Sequence, residues 1–202
     1  LISKHLKQIL VDRAIGKAIV LDPLLQEVLD LYMTDVNSSS LREYITTWIC
    51  GYEPIFGKLG RDAYDPTNNK SKEIKPKLYT GKQKTNGSGC FNDYTRKRLE
   101  KDLAENLDIV HSLFIKERLV YAVEFSITAI SAKLEKQIVE KCEVQKNSYV
   151  RSASWSYLDW YNHPSLKVHF MDRKFISSFP DCVNRTLHKT MDGVYMFDKF
   201  SQ

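Results

Sequence analysis

Residues Gly60 to Leu78 read GRDAYDPTNNKSKEIKPKL. Within this stretch Asp65-Pro66-Thr67-Asn68-Asn69 has the composition of a tight turn, because proline presets φ and Asp and Asn side chains fold back onto nearby backbone. The turn separates two short runs, so the stretch predicts a hairpin of two strands. On the second run Glu73 and Lys75 flank Ile74. Side chains alternate across a strand, so the acid and the amine share one face while the isoleucine enters the core. If Asp62 lies on the partner strand, a second carboxylate stands beside Glu73. Asp65 is expected to fix the turn.

The segments before this hairpin read as helices. Ile2, Leu6, Ile9 and Leu10 recur at helical spacing, and Asp22-Pro23 offers an N-cap followed by proline at the first helical position. In a third helix, ending near Gly51, Leu41, Tyr44, Ile45, Trp48 and Ile49 form an apolar stripe, with Ser40 and Glu43 spaced as a capping box. After the hairpin, residues 79–92 are rich in Lys, Gly, Asn and Ser and are expected to form a loop. A charged helix is predicted over 93–106, strands over 109–115 and 119–127 about the turn 116–118, and a helix over 132–142. Alternating aromatic and polar residues (Tyr149, Trp155, Tyr157, Trp160) predict further strands in the last third. Helices around a central group of strands place the chain in the α/β or α+β class. Its 202 residues suit one domain, with a helical part over 1–50, a core over 58–142, and C-terminal strands and helix over 143–202.

Charge is unevenly spread. From Lys58 to Lys101 there are twelve Lys and Arg against five Asp and Glu, in a chain whose net charge is +5, so the remainder is slightly acidic. A local excess of this kind suits a polyanion, since each cation that meets a phosphate releases condensed counterions. No apolar run reaches the ~18 residues of a membrane span, and neither an anchor nor a signal peptide is expected. Cys50, Cys90, Cys142 and Cys182 form no CxxC pair, so reduced thiols and a cytoplasmic location are expected. His163 and His169 lack the rest of a zinc site and are read as structural or surface residues.

Two carboxylates a few ångströms apart repel each other unless a cation separates them. Mg²⁺, a hard ion that prefers oxygen ligands, is the expected one, with Mn²⁺ as a substitute. Its ligands would be Asp62, Glu73 and the main-chain carbonyl of Ile74, while Lys75 orients or activates water and stabilises charge at phosphorus. Asp62, ten intervening residues, then Glu73-Ile74-Lys75 resembles the D-x(n)-(D/E)-x-K core of the PD-(D/E)xK nuclease superfamily. The string Asp62-Ala63-Tyr64-Asp65 before Glu-x-Lys is similar to that of the PvuII-like restriction enzymes; Arg61 departs from it, where a proline is common. The resemblance covers about twenty residues. It implies a restriction-endonuclease-like mixed sheet flanked by helices, Mg²⁺-dependent cleavage of double-stranded DNA, and products with 5′-phosphate ends. Glu43 and Glu53 are candidates for an additional acid.

The loop that follows, with the charged helix, is expected to hold DNA. Lys77, Lys82, Lys84, Arg96, Lys97 and Arg98 would meet phosphates; Asn86, Ser88 and Asn92 would bond bases or sugars; Tyr94 would extend the contact. Trp155, Tyr157, Trp160 and Tyr161 suit a core better than a base-stacking platform. Cutting both strands at a symmetric site implies a homodimer, for which the N-terminal apolar helices would supply the interface. Two other readings fit the same residues: a less specific nuclease of repair, recombination or phage type, and a basic nucleic-acid-binding module without catalysis. Against any catalytic reading stands an exposed hairpin whose Asp62, Glu73 and Lys75 form only a surface ion-pair cluster, which adds little stability.

Overall fold

The computed structural model describes residues 3–35, 39–56, 60–79 and 87–172. Three helices come first: α1 (Lys4–Ala14), α2 (Pro23–Thr34) and α3 (Ser40–Ile49). Asp22 caps α2 as expected, accepting hydrogen bonds from the Leu24 and Leu25 N–H groups. The other end of α2 is closed by a buried side chain: Arg42 donates to the Met33 and Asp35 carbonyl oxygens. The capping box does not form. Ser39, not Ser40, occupies the N-cap of α3, and its hydroxyl donates to Glu43 Oε1 at 2.5 Å, which removes Glu43 from backbone capping.

The central sheet has the order β1 (Glu53–Pro54), β2 (Ala63–Asp65), β3 (Lys70–Tyr79), β5 (Asp108–Ile115), β6 (Arg118–Ser126) and β8 (Lys167–Met171). β3 and β5 are parallel and every other pair is antiparallel, so the sheet is mixed. β5 and β6 are apolar almost throughout because both of their faces are covered. On one face Phe114, Leu119 and Ala122 pack with Leu10, Ala14, Leu29, Met33 and Ile45 of the first three helices. The other face carries a larger cluster that includes Leu113, Tyr121, Val123 and Phe125 with Leu99, Ile130, Leu134 and Trp160.

Those last residues belong to α4 (Arg96–Ala104), α5 (Thr128–Ile138) and α6 (Tyr157–Trp160). α5 continues into a π-helical turn over Val139–Val144. A separate ribbon pairs β4 (Gly89–Tyr94) with β7 (Val150–Trp155). The class is therefore mixed α+β, with a central mixed sheet flanked by helices.

Three local readings need correction. Of the expected loop over 79–92, Tyr79 closes β3 and residues 89–92 are strand; composition hid the strand because Gly89 is required there by packing, a Cβ at that position falling 2.3 Å from the Trp155 ring. Tyr157 and Trp160 lie on a helix and not a strand, begun by a capping box in which the Ser156 N–H donates to Asp159 Oδ2 and the Ser156 hydroxyl accepts the Asp159 N–H. The charged helix is shorter than expected, starting after Thr95, whose hydroxyl accepts from the Arg98 N–H. Trp155, Tyr157, Trp160 and Tyr161 are all buried core residues, and no helix among the described residues is long and apolar enough to cross a membrane.

Candidate active site

The turn residues behave as their chemistry dictates. Asp65 Oδ1 accepts the Thr67 and Asn68 N–H groups, and Asn69 adopts φ 51°, so the chain reverses between β2 and β3. β2 pairs with only the first three residues of β3, from Lys70 to Lys72. Beyond that point this edge of β3 opens, which is why Pro76, with no N–H to give, is tolerated in the strand. Asp62 sits where the two strands part. Its Oδ2 accepts the Ile74 N–H at 2.8 Å, replacing the ladder bond that β2 no longer supplies.

This arrangement brings Asp62, Glu73 and Lys75 together. Glu73 is 4% exposed, and its Oε1 lies 2.7 Å from Lys75 Nζ and 3.4 Å from Arg98 Nη2. Its Oε2 is buried without a hydrogen bond, 3.6 Å from Arg61 Nη1. Burial raises the Asp62 carboxyl, and the facing charge of Glu73 adds to that; Lys75 and the Ile74 N–H pull it down, but it still stands at about 6. Burial lowers Lys75, yet Glu73, Asp62 and Glu43 outweigh that effect and hold its pKa above the ordinary lysine value. Lys75 is therefore a firm ammonium at neutral pH.

A second layer fixes these groups. The Lys75 ammonium and the Arg98 guanidinium both stand over the Phe91 ring, at 5.6 and 5.2 Å from its centroid. Arg61 donates to Asp102 Oδ1 at 2.7 Å and to Glu105 Oε2 at 2.5 Å. Asp102 is fully buried and also accepts the Tyr94 hydroxyl at 2.7 Å. Arg61, Phe91 and Asp102 were missed as site residues. Only the four-residue spacing of Arg98 and Asp102, whose Nε and Oδ2 lie 3.8 Å apart, hinted at the cluster in the sequence.

The remaining expected residues are placed as follows. Ile74 lies between the two site side chains with its own side chain fully buried. Glu43 is half-buried on α3 and bears electrostatically on both Asp62 and Lys75, whereas the Glu53 side chain is exposed on β1 and makes no ion pair or hydrogen bond to another described residue. Tyr94, expected to touch nucleic acid, is 0% exposed and stacks on Phe91 at 4.9 Å; Asp93 at φ 50° turns the strand so that Tyr94 points inward. Arg96 is committed to Glu135 and Glu143, and Arg98 faces Glu73. Lys77, Asn92 and Lys97 are exposed and Ser88 is half-buried. Lys82, Lys84 and Asn86 lie outside the described residues.

Two carboxylates, one of them with an orphaned buried oxygen and the other driven to hold its proton, make a donor set that suits a hard divalent cation. Among the described residues no group of three or more His, Cys, Asp or Glu is arranged to hold a metal. Mg²⁺ accepts so sparse a set, because it keeps several waters and binds through one or two carboxylates with substrate phosphate completing the shell. His169 takes no part here. Its Nε2 pairs with Glu124 Oε2 at 2.9 Å in a separate buried cluster. No protein-family model matches the chain, and no curated protein matches its sequence.

Proposed function

We propose that this chain is a divalent-metal-dependent DNA endonuclease of PD-(D/E)xK, restriction-endonuclease-like type that hydrolyses phosphodiester bonds to leave 5′-phosphate ends. The observation that carries the reading is the meeting of Asp62, Glu73 and Lys75 where the β2–β3 hairpin opens. Asp62 and Glu73 are the residues that would hold Mg²⁺. The chemistry such an ion supplies when bound is Lewis-acid stabilisation of phosphoryl oxygens and a lowered pKa for coordinated water.

The chain's own groups have separate tasks. Lys75 is held as a cation, so it cannot take a proton from water at neutral pH; it is placed to stabilise the negative charge that grows on the phosphoryl group. Ile74 positions the Asp62 carboxylate through its N–H. Arg61 and Arg98 orient Glu73. Basic residues around the opening draw the polyanion in.

The double-strand cut fits two copies of the chain. On α2, Leu24, Val28, Leu31 and Tyr32 form a stripe that is 68, 41, 65 and 58% exposed, an apolar face suited to an isologous contact. The test of the function is incubation of supercoiled plasmid with the protein and Mg²⁺. Linear products bearing 5′-phosphates, absent with EDTA, are expected; intact plasmid at every Mg²⁺ and Mn²⁺ concentration would overturn the proposal.

A further inference from the structure

The β4–β7 ribbon has two unlike faces. Phe91, Ala153 and Trp155 turn inward and are buried. The opposite face carries Cys90 and Asn92 on one strand, in register with Ser154 and Ser152 on the other. Between the ribbon and β3 runs a groove of about 390 Å³, lined by residues that include Lys75, Lys77, Ser88, Cys90, Ser152 and Ser154. Because Lys75 lines it, the groove is continuous with the candidate active site.

Its chemistry is selective. Lys77 is exposed and has no ion pair among the described residues, and the hydroxyls of Ser88, Ser152 and Ser154 make no hydrogen bond to another described residue. These are ammonium and hydroxyl groups with capacity to spare, the donors that phosphate and sugar oxygens accept. The other side chains are short, which lets a chain approach the wall closely. Among the described residues no aromatic ring lines the groove, so none of them stacks on bases there. Nor do the described lining residues include Arg, Asn or Gln, the side chains that read base edges with paired hydrogen bonds.

We infer that this groove seats the sugar–phosphate backbone of the DNA strand entering the active site, and that it does so without reading bases. The inference rests on the nuclease proposal and assigns Lys77, Ser88, Ser152 and Ser154 as backbone-positioning residues. Sequence preference, where the enzyme has any, then arises elsewhere on its surface.

Cys90 supplies a reporter, since its free thiol is half-exposed and lines the groove. The unmodified protein is alkylated with N-ethylmaleimide in metal-free buffer, with and without saturating oligonucleotide, and labelling is followed at each cysteine by peptide mass. Direct binding is measured alongside. DNA is expected to slow labelling of Cys90 at least tenfold while Cys142 is unaffected, with single strands and duplexes of unrelated sequence acting alike. Exposed Ser152→Glu with Ser154→Glu should weaken binding about tenfold on every sequence, and Lys77→Ala should reduce the slope of log K against log salt by about 1. Wild-type protein that binds DNA while Cys90 labels at its free rate would overturn the groove and leave the nuclease reading intact. Protection by one sequence alone would overturn its indifference to bases. Failure of the wild type to bind any DNA would remove both proposals.

Discussion

The Lys75 ammonium lies 2.7 Å from Glu73 Oε1, on the same face of one strand and two residues away, while the N–H of the intervening Ile74 is given to Asp62. The ammonium therefore serves a site with two acids and is kept charged by them. On the proposed nuclease reading, Lys75→Ala removes charge stabilisation that matters most in the transition state, so cleavage should fall about 10²- to 10³-fold. DNA affinity should change less than threefold, since the other cations around the opening remain. Single-turnover cleavage and a gel shift, run on one preparation, measure both. Equal losses in binding and cleavage would make Lys75 a phosphate anchor and nothing more.

Asp62 predicts an unusual pH dependence. Its folded pKa, about 6, stands above the ordinary 3.8, so the native state holds a proton that the unfolded state releases. Stability from this group is full below about pH 4 and falls as pH rises through about 6. At pH 8 Asp62→Asn should therefore stabilise the protein, by at most about 3 kcal/mol at 1.36 kcal/mol per pKa unit. Mg²⁺ should raise the melting temperature of the wild type and leave that of the variant unmoved. With Mg²⁺ limiting, cleavage should rise with pH through about 6, and the midpoint should move lower as Mg²⁺ increases, because proton and cation compete for one carboxylate. Thermal melts across pH and Mg²⁺ decide this, and a variant that melts below the wild type at pH 8 would contradict it.

What the sequence reveals follows the range of the interactions involved. The hairpin was readable because each signal is local: Asp65 and the asparagines make the turn, and Glu73, Ile74 and Lys75 alternate. The strands 108–115 and 118–126 were readable because burial on both faces leaves continuous apolar runs. The Arg61–Asp102–Tyr94 support was not, since it joins residues 41 and 8 positions apart through side chains that look like surface charges in a basic segment. β4 was hidden for a related reason. Its Gly and Cys read as loop composition until the Trp155 ring, arriving from β7, explains the glycine.

Lys72 shows how strongly the two faces of β3 differ. One residue before Glu73 and pointing the opposite way, it is buried with its Nζ 2.8 Å from Asp108 and 3.0 Å from Glu124. Burial alone would raise Glu124, but hydrogen bonds from His169, Tyr52 and Lys72 outweigh it and bring the carboxyl down to about 2. That lowered value means stability present above about pH 4.5 and lost as pH falls toward 2. Lys72→Ala leaves acids buried without their cation and should cost about 3–5 kcal/mol at pH 7. Acid unfolding should also begin at higher pH, as urea titrations between pH 3 and 7 would show. On the proposed nuclease reading the variant should still cut DNA below its melting point, because Lys72 points away from the face of β3 that carries Glu73 and Lys75.

The exposed stripe on α2 leads to the last prediction. Leu24, Val28 and Leu31 recur at helical spacing, so one face of the helix presents apolar side chains that the first three helices do not cover. If two copies bury this face together, the protein should sediment as a dimer at micromolar concentration. Val28→Glu with Leu31→Glu places like charges on both sides of the shared axis and should yield a folded monomer. With each copy acting alone, that monomer should nick one strand of a supercoiled plasmid where the dimer cuts both. Sedimentation velocity and the ratio of nicked to linear product test the two halves of the claim together. A wild type that sediments as a monomer yet makes double-strand breaks would assign the stripe to another partner.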